Sequence, residues 1–218
     1  MITIFQHGEE ESAGEIGEYL KECRLPFEIA RLYETNEVPV DLPTQLIILG
    51  GQMSVNDIPD YPFFANEKET IRKMVALEMP VWGICLGAQM IASAFGQPVF
   101  PSFKERGWHT IHGCLPDHVP YFPESFQVFH WHNETFNLPG GATLLSYGDN
   151  VKTQAFRLGS AIGVQFHPEI TLQIISRWVK DLDSEERVRL LLNSKHSITG
   201  SRNWCRLFTD AFSRGWDF

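Results

Sequence analysis

The stretch Met79-Pro80-Val81-Trp82-Gly83-Ile84-Cys85-Leu86-Gly87-Ala88-Gln89 decides the fold. Pro80 breaks the chain, Val81 to Ile84 is a short apolar run that reads as a buried strand, and Leu86 to Phe95 reads as a helix closed by Gly96. Between them Gly83-Ile84-Cys85-Leu86-Gly87 forms a G-x-C-x-G junction. Flanking glycines permit a turn too tight for a Cβ and present Cys85 at the carboxyl edge of a sheet. The helix N-terminus adds free N–H groups and positive potential, which favour a thiolate, and the Leu86 N–H can face a developing oxyanion. Two readings of Cys85 follow from these residues alone: a nucleophile, or a buried structural cysteine in a Gly-rich turn.

Outward from this junction, apolar runs alternate with helical patterns, the signature of βαβ units and a mainly parallel sheet. Ile2 to Phe5 and Leu46 to Leu49 read as strands, the second stopping at Gly50-Gly51, and Glu15 to Cys23 and Ala65 to Glu78 read as helices. From Pro98 to Gln165 the texture changes to short extended pieces around Trp108–His112, Phe126–His130, Thr153–Arg157 and Ala161–Phe166, which predicts hairpins or an edge sheet. Thr171 to Leu182 resumes a helical period, and a last helix is expected from Ser201 to Gly215. Its stripe of Trp204, Phe208, Phe212 and Trp216 is read as docking against the protein's own sheet rather than as an interface. With 218 residues, a single α/β domain over 1–218 accounts for the whole chain.

Composition excludes several classes. Eighteen Lys and Arg against 27 Asp and Glu give a formal charge of −9, and no basic run offers a footprint for nucleic acid. The four cysteines, 23, 85, 114 and 205, are too sparse for a disulfide scaffold and imply a reducing compartment. The N-terminus lacks a basic, then apolar, secretory pattern, and the most apolar stretch, Val81 to Phe95, is interrupted by Gln89 and Ser93. A cytoplasmic chain without membrane association is expected.

A thiolate that attacks a carbonyl needs a proton donor for the leaving group, and a histidine oriented by a carboxylate supplies one. Gly163-Val164-Gln165-Phe166-His167-Pro168-Glu169 contains both. Pro168 disfavours helix at His167, and residues two apart in extended chain share a side, so His167 and Glu169 point together. By itself His-x-Glu is weak, and a surface loop is the other reading. His109 with His112, His112 with Cys114, and His130 with His132 have ligand-like spacing, but no acidic or Cys pair completes a recognisable site. No metal and no cofactor are expected.

Together the segments resemble the class I glutamine amidotransferases, whose cysteine lies in a G-x-C-x-G-x-Q elbow and whose histidine and glutamate lie in a later F-H-P-E. Here these are Gly83 to Gln89 and Phe166-His167-Pro168-Glu169. Leu49-Gly50-Gly51-Gln52-Met53-Ser54-Val55-Asn56-Asp57 resembles the family's oxyanion loop, and Phe129-His130-Trp131-His132 followed by Phe136 resembles a segment of stand-alone members similar to the glutaminase domain of GMP synthase. The resemblance implies a flavodoxin-like three-layer sandwich with a small extra antiparallel sheet. It implies Cys85, His167 and Glu169 as a catalytic triad, Gly51 and Leu86 as oxyanion donors, and Gln89, His130, Trp131 and His132 as substrate contacts. The implied substrate is glutamine or a γ-glutamyl compound, attacked through a γ-glutamyl thioester.

Two positions depart from the pattern. Gln52 stands where relatives carry proline, leaving consecutive glycines free to flip a peptide plane, and Asn133-Glu134 replaces Gly-Asp. No P-loop is present, so an ammonia acceptor would be a separate synthetase chain. A γ-glutamyl peptidase and a catalytically silent module of the same fold are the alternatives.

Overall fold

Strands that are apolar along their length must be covered on both faces, and this requirement organises the sheet. The computed structural model describes residues 1–114 and 122–216. Its parallel half runs β2 (Phe27–Arg31), β1 (Ile2–Gln6), β3 (Gln45–Ile48), β4 (Val81–Ile84) and β9 (Ala161–Val164), in that spatial order. Side chains alternate between two cores, as a two-residue period demands. Ile4, Ile47 and Trp82 join Ile16, Leu20, Phe208 and Phe212 on one side, contributed by α1 (Gly14–Glu22) and α6 (Ser184–Ser213). Phe5, Ile48 and Val81 join Phe64, Ile71 and Met90 on the other, from α3 (Phe63–Ala76) and α4 (Leu86–Ala94).

Beyond β9 the sheet turns antiparallel through β8 (Ala155–Leu158), β7 (Thr143–Gly148), β5 (Val99–Gly113) and β6 (Ser125–Phe136). The antiparallel strands expected as a small extra sheet are therefore continuous with the parallel half, in one sheet of nine strands among the described residues, because β8 pairs with β9. Three elements lacked a sequence signal: β2, a half-exposed edge strand; the one-turn α2 (Leu32–Thr35); and β7. The helical stretch expected over 171–182 is α5 (Leu172–Trp178). The last helix starts at Ser184 rather than near Ser201, since Asp183 caps it by accepting from the N–H groups of Glu185 and Glu186. Its opening turns carry Val188 and the consecutive Leu190-Leu191-Leu192, a run that blurs the helical period.

The stripe on α6 is core. Phe208 stacks on Trp204 at 4.4 Å between ring centroids and meets Trp82 edge-on at 4.9 Å. A buried carboxylate, Glu15 of α1, binds Arg202 and Arg206 of α6 and fixes the two helices against each other. Among the described residues no helix is long and apolar enough to cross a membrane. Phe208→Ala should cost about 3–5 kcal/mol of folding free energy by loss of packing and cavity formation. Denaturant titration with an unchanged slope would measure it, and a loss below about 1 kcal/mol would contradict a core role for the stripe.

Candidate active site

Cys85 sits at φ 50°, ψ −103°, a backbone state that an L-residue adopts only when its surroundings hold it there. The surroundings do so from both sides. The Cys85 N–H donates to the Val164 carbonyl at 2.8 Å, and its own carbonyl accepts from the Gln89 N–H at 3.0 Å in the first turn of α4. A Cβ on Gly83 would lie 2.5 Å from the Gly87 carbonyl, and one on Gly87 would lie 2.3 Å from the Ile48 oxygen. Both glycines are thus demanded by the approach of α4 to the sheet.

His167 follows β9, where its N–H donates to the Phe129 carbonyl at 2.8 Å. Its Nδ1 lies 2.8 Å from Glu169 Oε1, and both residues are buried. An ionised carboxylate only accepts, so Nδ1 carries the proton and donates it, which leaves Nε2 without a close hydrogen bond among the described residues and available to the site. Burial opposes charge on this ring, but the Glu169 carboxylate and then the Cys85 sulfur outweigh it and raise the His167 pKa to about 10. Trp178, the last residue of α5, packs edge-on against the imidazole at 4.8 Å. From the residue two before His167, the Gln165 side-chain amide approaches the Cys85 sulfur at 3.7 Å.

Cys85, His167, Gly51, Gln89, Trp131 and His132 line one cavity of about 590 Å³. Three other expected residues lie off its wall. Glu169 holds the far side of His167, and Leu86 packs beneath Gly51, where a Gly51 Cβ would come within 2.6 Å of it. His130 is fully buried and off the cavity wall, contrary to the substrate contact expected of it; as a β6 side chain opposite Gly107 of β5 it points into the sheet's interior contacts, with its Nδ1 3.2 Å from His132 Nε2. Gln89 donates to the Glu134 carbonyl at 3.2 Å, and Arg106 lies 4.5 Å above the Trp131 ring.

The loop at Gly50-Gly51 is better anchored than its glycines suggest. Gln52 donates to Glu11 at 3.1 Å, and Ser54 donates to Glu134 at 3.1 Å. Glu11 is buried, and desolvation lifts its carboxyl above the ordinary range. Below Gly51, His7 is held by the buried Glu67 at 3.1 Å. Glu11, Trp178 and Gln165 were not foreseen as site residues. Only Gln165 had a local signal, its two-residue offset from His167.

This arrangement of an elbow cysteine and a carboxylate-oriented histidine, at the carboxyl edge of a parallel sheet, defines a class. Residues 13–179 match the family Glutamine amidotransferase class-I, and the chain belongs to that family. It is 28% identical over 195 residues to the glutamine amidotransferase-like protein YfeJ of Salmonella typhimurium, covering 84% of this chain and 82% of that one. It is 33% identical over 135 residues to the glutamine-hydrolysing GMP synthase of Thermosipho africanus, a match to 59% of this chain but only 25% of that protein. Among solved structures, a glutamine amidotransferase of Thermotoga maritima superposes with a TM-score of 0.90 at 26% identity, covering 97% of both chains. One from Methylobacillus flagellatus gives 0.88 at 27% identity, covering 98% of this chain and 94% of that one.

The raised His167 pKa has a readable consequence. Because the folded value lies above the unfolded one of about 6.5, His167 stabilises the fold fully below that pH, and the contribution is lost as pH rises through about 10. The imidazole should titrate near 10 by NMR and at lower pH in both Glu169→Gln and Cys85→Ser, since each removes a neighbour that favours the charged ring. A titration left unmoved by both substitutions would contradict the assignment of those neighbours.

Proposed function

We propose that this chain hydrolyses a γ-glutamyl amide, with the side-chain amide of glutamine as substrate, through a thioester on Cys85. The observation that carries the reading is His167, anchored through Nδ1 by Glu169 with Nε2 open, in the same cavity as a cysteine on a strained elbow. The Cys85 thiolate attacks the amide carbon, and the C–O π electrons move onto oxygen. The N–H of Leu86, first residue of α4 and so without an intrahelical acceptor, and that of Gly51 receive the charge. Removing one such donor typically costs about 2.7–4 kcal/mol of transition-state stabilisation. Collapse of the tetrahedral adduct breaks the C–N bond as His167 Nε2 gives its proton to the departing amine, releasing ammonia. His167, now neutral, takes a proton from water, whose oxygen attacks the thioester; the C–S bond breaks, glutamate leaves, and thiolate and imidazolium are restored.

Ammonia so formed is proposed to feed a separate synthetase chain, in a reducing, cytoplasmic setting compatible with the four free cysteines. A second reading, a γ-glutamyl peptidase using the same chemistry, is favoured by the cavity, whose about 590 Å³ falls in the range of sites for ligands larger than one amino acid. Gln89, Trp131 and His132 are the proposed substrate contacts in either case.

A glutamine-mimicking electrophile should label Cys85 before Cys23, Cys114 or Cys205, because burial raises the thiols of Cys114 and Cys205 and neither sits on an elbow. Mass mapping that finds either labelled first would refute the assignment. His167→Ala should abolish turnover with the fold intact, whereas Glu169→Gln should be milder because only orientation is weakened. Ammonia release from glutamine, compared with glutamate release from γ-glutamyl dipeptides, separates the readings: dipeptide cleavage with negligible glutaminase activity, with or without a candidate synthetase, selects the peptidase.

A further inference from the structure

The Glu105, His130 and His132 side chains converge on one point beside the catalytic cavity. β5 and β6 pair regularly from His112 and Ser125 as far as Glu105 and His132, then slip, with three residues of β5 facing a single one of β6 before Pro101 meets Glu134. Irregularities of this kind re-aim side chains. Here the last regular rung sets Glu105 opposite His132, while His130, two residues earlier on β6, shares its face. Glu105 Oε2 lies 3.1 Å from His132 Nε2 and 3.3 Å from His130 Nδ1, and the two nitrogens are 3.2 Å apart. All three residues are buried.

The His132 ring spans two acceptors, with Nδ1 3.1 Å from the Glu134 carbonyl and Nε2 turned toward Glu105. Glu105 Oε2 also receives the Gln154 amide at 2.9 Å, so three nitrogens crowd one carboxylate oxygen. A cation at the centre relieves this crowding: two imidazole nitrogens and one carboxylate oxygen surround it, and Gln154 donates to a lone pair that remains. The spacing fits as well, since ligands about 2.0–2.1 Å from a metal are about 2.9 Å apart in octahedral and about 3.3 Å apart in tetrahedral geometry. Glu134 on His132 and Gln154 on Glu105 are the outer partners that fix a ligand's tautomer and angle.

We propose that Glu105, His130 and His132 bind a divalent transition-metal ion, Zn²⁺ by the nitrogen and oxygen character of the set, with a coordination position left for water or ligand. Glu105 and His132 also line the cavity that contains Cys85, so the ion lies against the chamber but takes no ligand from the triad. The site shares His132 with the substrate contacts proposed above but takes no part in the amide chemistry, and its metal binding is tested separately.

The test uses the full chain carrying Cys85→Ser, so that the nucleophile cannot ligate, stripped with chelator and titrated with Zn²⁺ and with Co²⁺. One Zn²⁺ per chain is expected by mass-spectrometric metal analysis, and Co²⁺ should give visible d–d bands without a thiolate charge-transfer band. Glu105→Gln and His132→Gln should each weaken Zn²⁺ binding more than tenfold, and Gln154→Leu about 10–100-fold through lost orientation. A folded parent that takes up no Zn²⁺ and stays colourless with Co²⁺ overturns the proposal, as does a thiolate band or an affinity unchanged in all three variants. Should the ligand variants fail to fold, the parent's stoichiometry and Co²⁺ spectrum decide the matter.

Discussion

The constraint on which the rest depends is the backbone of Cys85, held at positive φ between a strand and a helix. Such a state costs on the order of 1–3 kcal/mol for a non-glycine residue and persists only where neighbours over-determine it. Three neighbours do. β9 supplies the Val164 carbonyl, α4 supplies the Gln89 N–H, and β3 presses on Gly87 so closely that no Cβ fits. Any shift of α4 along the sheet would therefore release the elbow, and the apolar packing of Met90 and Ile91 against Ile48 and Val81 also locks the cysteine in place.

The second organising feature is the change of pairing at β9. On one edge it runs parallel to β4, which ends at the elbow, and on the other antiparallel to β8. The chain leaving β9 consequently emerges beside Cys85, carrying Gln165, His167 and Glu169 into the site. The Phe129 carbonyl of β6 accepts the His167 N–H, so the antiparallel half reaches back to the same place. This is how Trp131 and His132, on the strand farthest from β2 in the sheet order, come to line the cavity with Cys85.

What the sequence made legible follows from the range of the interactions involved. The elbow, the His-x-Glu pair and the strand Val81–Ile84 are local, and each is written in a handful of consecutive residues with restrictive chemistry. Gln165 lay inside a motif already recognised. Glu105 was hidden because its partnership with His132 is set by the pairing of two strands, and no spacing along the chain records which residues face each other across a sheet. Trp178 and Glu11 were hidden for a related reason, as both reach the site from element ends whose placement depends on helix packing. The early start of α6 was missed because its opening turns carry a consecutive run of leucines rather than a spaced apolar stripe, and its first residue is set by the Asp183 cap.

The loop carrying Gly51 shows how tertiary contacts can replace a local restraint. A proline after two glycines would stiffen it through φ alone, and Gln52 has no such effect. The position is held instead by side chains: Gln52 on Glu11, Ser54 on Glu134, and the close packing of Gly51 against Leu86, Met53 and His7. Glu134, one of the two residues that depart from the family pattern beside the substrate region, thus serves the loop as well, while its carbonyl receives Gln89 and His132. These restraints all come from within the chain. An anchor built on Glu11, whose carboxyl is driven toward neutrality by burial, also differs from proline in kind. The Gln52 amide donates best to the ionised form, so protonation weakens this tether where a proline ring would be indifferent to pH.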